Sequence, residues 1–150
     1  MPERWHVRDL QHRFHHPVER VFDYLSSPVR RPEWQSSLRR VEFVGGQRVG
    51  VGTTWRDVTW AGARPLLTVT THEPATEWAE RGTWSGITAT LDLLFVPDGD
   101  QTDVQVIVRI AGAGWQRGLA AGLVRAIPLG LPGDLARADR ILARPGPPAA

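Results

Sequence analysis

Hydrophobic and polar residues alternate over residues 5–15 and again from about residue 41 to residue 110, a spacing typical of β-strands with one buried face. In the first stretch, Leu10, His12 and Phe14 share one face of the predicted strand. Further strands are predicted around residues 41–43 and over residues 53–60, 66–73, 77–84, 87–96 and 102–110. Short turns rich in glycine, proline and aspartate separate the later strands, so an antiparallel meander is expected.

Helical spacing replaces this alternation in three places. Pro17–Leu25 is predicted as a short amphipathic helix, because proline suits a first helical turn and the hydrophobic residues after it share a face. Arg31–Ser36 is predicted as a second short helix or turn. A longer helix follows the last strand, with large apolar residues at every fourth position: Trp115, Leu119 and Leu123.

The C-terminal helix is expected to be interrupted. Residues 128–133 contain two prolines and two glycines, which remove backbone donors or weaken helical order. Asp134 is predicted to cap a separate segment over Leu135–Ala143.

The order of these elements predicts an α+β fold. A curved antiparallel β-sheet of about seven strands, with two short helices after the first strand, would wrap around the C-terminal helix. The space between sheet and helix is the expected ligand site. One domain is predicted over residues 1–144, with a flexible tail over residues 145–150.

Composition excludes several classes of chemistry. The chain has 150 residues, enough for one domain, and no cysteine, so disulfides, thiol catalysis and thiolate–zinc sites are excluded. Its hydrophobic fraction is 41% and no apolar run approaches the roughly 20 residues needed to cross a bilayer. The N-terminus lacks a hydrophobic signal core. We therefore expect a cytoplasmic protein without membrane insertion.

Charge gives no indication of a nucleic-acid partner. The pI is about 10.3, but the formal net charge is only +2. All 18 basic residues are arginine, so few groups titrate at high pH and a small arginine excess raises the pI. Basic residues form no stripe, so no nucleic-acid binding is expected.

Four segments, in this order, resemble the SRPBCC superfamily, which includes START domains, the birch-pollen-allergen fold and polyketide cyclase/dehydrase-like proteins. They are Phe14–Leu25 followed by Pro32-Glu33-Trp34, then Val49–Arg56, Val69–Pro74 and Thr102–Val108. The resemblance covers roughly residues 10–125. It implies the helix-grip fold, in which a seven-stranded antiparallel sheet grips a long C-terminal helix around an apolar cavity. The predicted break at Pro128–Gly133 departs from that pattern.

Three residues are candidates for acid–base chemistry. His12 is predicted to face inward, and Asp57 and Glu80 each share a strand face with tryptophan. Burial beside aromatic rings would raise the pKa of either carboxyl and suit it to proton transfer. In the competing interpretation, His12 is a hydrogen-bonded histidine of the core. Asp57 and Glu80 then lie at the rim of the cavity or pair with Arg56 or Arg81. A shift of one residue in strand register would turn either carboxylate to the outer face.

The remaining candidates form the expected wall of the cavity. Tryptophan is unusually frequent, and four rings are predicted at or near the ligand: Trp55, Trp78, Trp84 and Trp115. Apolar partners are predicted on the sheet and on the helix: Val69, Leu91, Val106, Val108, Leu119 and Leu123. Core packing is the alternative for all of them. The histidines show no helical pair at metal-binding spacing, so neither a metal nor another cofactor is expected.

These features favour a binding protein for a hydrophobic small molecule, such as a lipid, a polyketide or an aromatic metabolite. The alternative is an enzyme of the polyketide cyclase, aromatase or dehydratase type, with His12, Asp57 or Glu80 as the proton acceptor and Arg56 as a possible anion partner. A third hypothesis is a protein-interaction domain like the chaperone activators of the superfamily, which would need an exposed apolar groove. The protein is expected to be a monomer or a homodimer.

Overall fold

The computed structural model describes residues 4–46 and 48–145 and contains one seven-stranded antiparallel sheet. Most of the predicted tail, residues 146–150, lies outside the described residues, as do residues 1–3 of the predicted domain. The strands are β1 His6–Phe14, β2 Leu38–Val44, β3 Thr54–Thr59, β4 Leu66–Glu73, β5 Glu77–Trp84, β6 Ile87–Asp98 and β7 Gln101–Gly112. The predicted fold class is confirmed.

The sheet has the order β1-β7-β6-β5-β4-β3-β2, so consecutive strands pair except at one place. β1 lies at one edge and β2 at the other. The chain between them forms helix α1 (Val18–Leu25), a 3-10 helix (Pro28–Arg30) and helix α2 (Arg31–Trp34). Those short helices therefore carry the chain from one edge of the sheet to the other.

The core lies between the inner face of the sheet and the helices. Six of its side chains are large and at most 4% exposed: Phe14, Phe22, Trp34, Trp55, Trp78 and Phe95. The rings of Phe22 and Phe95 meet edge to face, with centroids 5.0 Å apart. Trp55 and Trp78 lie side by side on the inner face, with ring centroids 6.4 Å apart. Full burial of such rings contributes several kcal/mol, on the order of 25 cal/mol per Å² of apolar surface.

Helix α3 is continuous over Gln116–Leu142, so the predicted break at Pro128–Gly133 and the separate segment Leu135–Ala143 were wrong. Each interior proline costs about 3 kcal/mol of helix stability. Packing at both ends offsets that cost. Ala120 is fully buried against the sheet, while Leu135, Ala138 and Leu142 are buried in the main core. None of the helices within the described residues is long and apolar enough to cross a membrane.

Candidate functional site

A cavity of about 460 Å³ lies between the inner face of the sheet and α3. Its apolar walls come from β4, β6, β7 and α3, through Leu67, Ala89, Leu91, Val108, Leu123 and Leu131. The exposed residues Ser36, Ser37 and Gly130 lie at its opening, between the α2–β2 turn and α3. The backbone N–H of Ser36 donates to the Asp134 carboxylate (3.3 Å), which ties the turn to α3 beside the opening.

Three of the charged residues that line this cavity are buried: Arg31, Asp57 and Glu80, called here the buried charge cluster. Each is at most 5% exposed. Nη1 of Arg31 donates to both carboxylate oxygens of Glu80, at 2.7 and 2.8 Å. Nη2 lies 3.4 Å from Oδ2 of Asp57, a longer and weaker contact. One guanidinium therefore serves two carboxylates.

The two buried tryptophans hold the carboxylates of the cluster in place. Residues two apart on a strand point to the same face, so Trp55 lies beside Asp57 and Trp78 beside Glu80. The indole N–H of Trp55 donates to Oδ1 of Asp57 at 2.9 Å. That of Trp78 donates to Oε2 of Glu80 at 3.2 Å. The guanidinium of Arg31 also lies 5.5 Å from the centre of the Trp55 ring, close enough for a cation–π contact.

Burial dominates the electrostatics of the cluster. Loss of solvent raises the pKa of Glu80, and the negative charge of Asp57 adds to that rise, while Arg31 and the Trp78 N–H act against it. Burial alone would lower the pKa of Arg31, but the two carboxylates raise it overall, so the guanidinium stays charged. The pKa of Glu80 is therefore raised even though an arginine contacts it.

His12 lies away from the cavity. Its ring packs edge to face on Phe14 (centroids 4.7 Å apart), and its Nε2 lies 4.0 Å from the carboxylate of Asp139 on α3. Burial lowers the pKa of His12. Asp139 is hydrogen-bonded instead to Nδ1 of His15, at 2.8 Å. His12 therefore lies where β1 packs against the C-terminal part of α3.

A metal centre finds no support in the geometry. His16 also approaches Asp139, with Nε2 at 3.2 Å from the carboxylate. Even so, across residues 4–46 and 48–145 no group of three or more histidine or acidic residues is arranged to hold a metal ion.

The predicted ligand-binding residues divide into three groups. Leu91, Val108 and Leu123 line the cavity. Four others are fully buried in the core behind it: Trp55, Val69, Trp78 and Val106. The last three residues do not line the cavity and are exposed: Trp84 (43%), Trp115 (77%) and Leu119 (42%).

Trp84 and Trp115 are therefore not part of the aromatic wall that the sequence predicted. Trp84 has the inward parity of Trp78 but is the last residue of β5, and Trp115 precedes the first residue of α3. Arg56, the suggested anion partner, is exposed, and its guanidinium donates to the backbone carbonyl of Arg64 at 3.1 Å. Strand ends and connections escape the burial that alternation predicts.

Arg31 is the functional residue that sequence reasoning missed. Its sequence neighbours do not distinguish it from the other arginines. Its partners, Asp57 and Glu80, are 26 and 49 positions away in the sequence. The available signal was indirect: two inward-facing carboxylates beside tryptophans favour a buried positive charge nearby, and Arg31 begins the short helix α2, which also carries the buried Trp34.

A curved antiparallel sheet that grips a long C-terminal helix above an internal cavity defines the helix-grip class, the SRPBCC superfamily. The chain belongs within it to the polyketide cyclase/dehydrase and lipid transport family, whose model matches residues 9–136. The resemblance noted in the sequence is thereby confirmed. No curated protein matches the sequence significantly.

Solved structures show the same fold at low sequence identity. The Zhui aromatase/cyclase from Streptomyces sp. R1128 has a TM-score of 0.74 at 16% identity, covering 94% of this chain and 95% of that one. Truncated norcoclaurine synthase from Thalictrum flavum has a TM-score of 0.74 at 10% identity, covering 97% and 98%. Protein MLL2253 from Mesorhizobium loti has a TM-score of 0.74 at 16% identity, covering 95% and 100%. At these identities the likeness establishes the fold alone.

Proposed function

We propose that the protein binds an apolar small molecule in the cavity between the sheet and α3. The single observation that supports this is the cavity itself, a partly open space of about 460 Å³ whose apolar walls are aliphatic side chains. That volume falls in the range of roughly 300–1,000 Å³ that small-molecule sites occupy. Lipids, polyketides and aromatic metabolites all have apolar bodies suited to such walls.

The cavity is neither filled by the protein's own aromatic rings nor exposed as a flat patch. Trp55 and Trp78, which could have filled it, are turned into the core, where their N–H groups hold the carboxylates. Aliphatic residues are left to contact the ligand, and burial of their surface would supply most of the binding free energy.

A cavity-filling variant tests this proposal. Ala89→Phe would place a ring in the cavity, while Val96→Phe adds a ring to the same strand at an exposed position. An apolar fluorescent probe should bind the unmodified protein saturably, bind Val96→Phe with the same affinity, and bind Ala89→Phe at least about tenfold more weakly. Equal binding to all three proteins would place the probe elsewhere and contradict the proposal.

A second candidate function is catalysis of the cyclase or dehydratase type, and one observation favours it. Glu80 is a buried carboxyl with a raised pKa in the cavity wall, and catalytic acids and bases are often groups whose pKa burial has shifted in this way. In an aldol cyclisation such a carboxylate would take the proton of the nucleophilic carbon. The resulting acid would then protonate the new alkoxide, returning the carboxylate.

Glu80→Gln separates the two candidates. If the protein is an enzyme of this type, the variant should lose turnover of a polyketide-like diketone while the apolar probe still binds. If the unmodified protein binds such compounds and returns them unchanged, as measured by mass spectrometry, the binding function remains and the enzymatic candidate is contradicted.

A further inference from the structure

The wall of the cavity carries more negative than positive charge. Among the described residues that line it, three have carboxylates and one has a cationic side chain: Asp57, Glu80 and Asp134 against Arg31. Within the buried charge cluster itself, Arg31 faces both Asp57 and Glu80. If all three groups are ionised, one negative charge has no partner.

Both terminal nitrogens of Arg31 already have partners. Its Nη1 is held by Glu80, and its Nη2 faces Asp57 and Gln35, each at 3.4 Å. Its Nε has no hydrogen-bond partner but is buried from solvent. A carboxylate ligand would therefore meet the acidic side of the cluster rather than an available cation.

An unpaired charge in a low-dielectric site is costly, and a second cation removes that cost. A protonated amine placed against Glu80 and Asp57 would give two positive and two negative charges in contact. Its N–H groups would also form charge-assisted hydrogen bonds, which are about twice as strong as neutral ones. An alcohol would supply one neutral donor, and a carboxylate would add a third negative charge.

Resting on the proposed binding function, we infer that this cavity selects molecules that join an apolar body to a protonated amine. The matched neutral alcohol binds less tightly, and the matched carboxylate binds least. The apolar walls accept all three bodies, and the buried charge cluster discriminates between the head groups. The ligand class is thus an apolar amine rather than a fatty or aromatic acid.

Protonation of the cluster competes with the amine. The groups that face Glu80 are Arg31 from α2, Asp57 from β3 and the Trp78 N–H from its own strand, with Asp134 of α3 on the same cavity. A proton on Glu80 supplies the positive charge that the amine would otherwise bring. Amine affinity should therefore fall as the pH is lowered, whereas alcohol affinity should not.

A matched ligand series provides the test: 2-(2-naphthyl)ethylamine, 2-(2-naphthyl)ethanol and 2-naphthylacetic acid, each measured by isothermal titration calorimetry. The amine should bind about tenfold more tightly than the alcohol, the ratio expected when a charge-assisted bond replaces a neutral one. Glu80→Gln should bring the ratio of amine affinity to alcohol affinity close to one. If Glu80→Gln does not fold, Asp57→Asn provides the same test. Glu73→Gln, at an exposed position on β4, should leave the ratio unchanged.

The outcomes distinguish the two proposals. Equal binding of the three compounds, tightest binding of the acid, or an amine preference that survives both Glu80→Gln and Asp57→Asn would overturn the inference while leaving the binding function intact. If none of the three compounds binds, and the apolar probe does not bind either, the binding function itself falls and the inference with it.

Discussion

Two clusters in this protein, each with one arginine and two carboxylates, lie in opposite surroundings. On the outer face, Arg13 donates to Asp103 at 2.9 Å and to Asp98 at 2.8 Å, so here too one guanidinium serves two carboxylates. These side chains are 43–62% exposed, whereas those of the buried charge cluster are at most 7% exposed. Water and salt screen the first cluster and scarcely reach the second. The same number of charges therefore has a small effect on the surface and a large effect in the cavity.

The pKa directions express this difference. On the surface, hydrogen bonds from Arg13 lower the pKa of Asp103, because little solvent is lost there. In the cavity, burial raises the pKa of Glu80 despite its two short contacts to Arg31. An arginine neighbour thus lowers a carboxyl's pKa only where the cost of burial does not exceed the attraction.

The largest expected effect is that of Arg31→Met. It would leave Asp57 and Glu80 buried without their cation, so we expect a loss of about 3–5 kcal/mol in the free energy of unfolding at neutral pH. Urea denaturation followed by circular dichroism measures it. Arg13→Met is the matched control, and its midpoint should shift far less, because that site is exposed to solvent. Similar shifts for both variants would mean that burial does not distinguish the clusters.

Trp78→Phe should have an intermediate effect. The variant keeps a ring in the core but removes the N–H that donates to Glu80 at 3.2 Å, which should cost about 1–3 kcal/mol. Trp60→Phe is the control, since Trp60 is 69% exposed and contacts only the guanidinium of Arg39 among the ring contacts described. Equal denaturation midpoints for the two variants would show that the indole donor does not support the carboxylate.

The pH dependence of stability should have opposite signs in the two clusters. The raised pKa of Glu80 gives a contribution that is full below its unfolded-state value of about 4.5 and is lost as the pH rises through the folded value. The lowered pKa of Asp103 gives a contribution that is present above about 3.8 and is lost as the pH falls through the folded value.

Two variants isolate these slopes. Glu80→Gln should remove a decline in stability on the alkaline side of pH 4.5, and Asp103→Asn a decline on the acidic side of pH 3.8. Urea midpoints collected across pH 3–8 provide the measurement. A Glu80→Gln profile parallel to that of the unmodified protein would argue against a perturbed carboxyl in the cavity.

The smallest expected effect is that of Asp98→Asn. Arg13 keeps its bidentate contact with Asp103 in this variant, and the site is exposed to solvent. The midpoint should stay unchanged at 0.1 M salt and at 1 M salt. A salt-dependent shift would show that the surface cluster contributes more than its exposure implies.

Sequence patterns sufficed for the sheet because alternation is a local property. The predicted bounds of β4 and β5 agree with the structure, and parity placed Asp57 and Glu80 on the face where the cavity lies. Helix α3 was predicted in two pieces because the cost of proline is visible locally, whereas the burial of Ala120 and Leu135 that offsets it depends on distant strands.

The site could be predicted only in part, because charge pairing is a long-range property. Nothing adjacent in sequence distinguishes Arg31 from exposed Arg30 or Arg39, yet it alone of the three meets two buried carboxylates. Trp84 was predicted at the cavity because its parity on the strand is inward, but β5 ends at this residue and its side chain is exposed. Alternation determines which face a side chain points to, and packing determines whether that face is covered.

The most direct test of the central claim is the titration of Glu80 itself. Carbon-13 NMR of selectively labelled glutamate carboxyls, with Glu80→Gln to assign the signal, follows the Glu80 carboxyl across pH 3–9. Burial, with the negative charge of Asp57 added to it, predicts that Glu80 titrates above its ordinary value of 4.5. A saturating amount of the naphthyl amine should lower the pKa of Glu80. A Glu80 signal that titrates at or below 4.5 without ligand would contradict the account, because the attraction of Arg31 would then outweigh burial and the charge of Asp57.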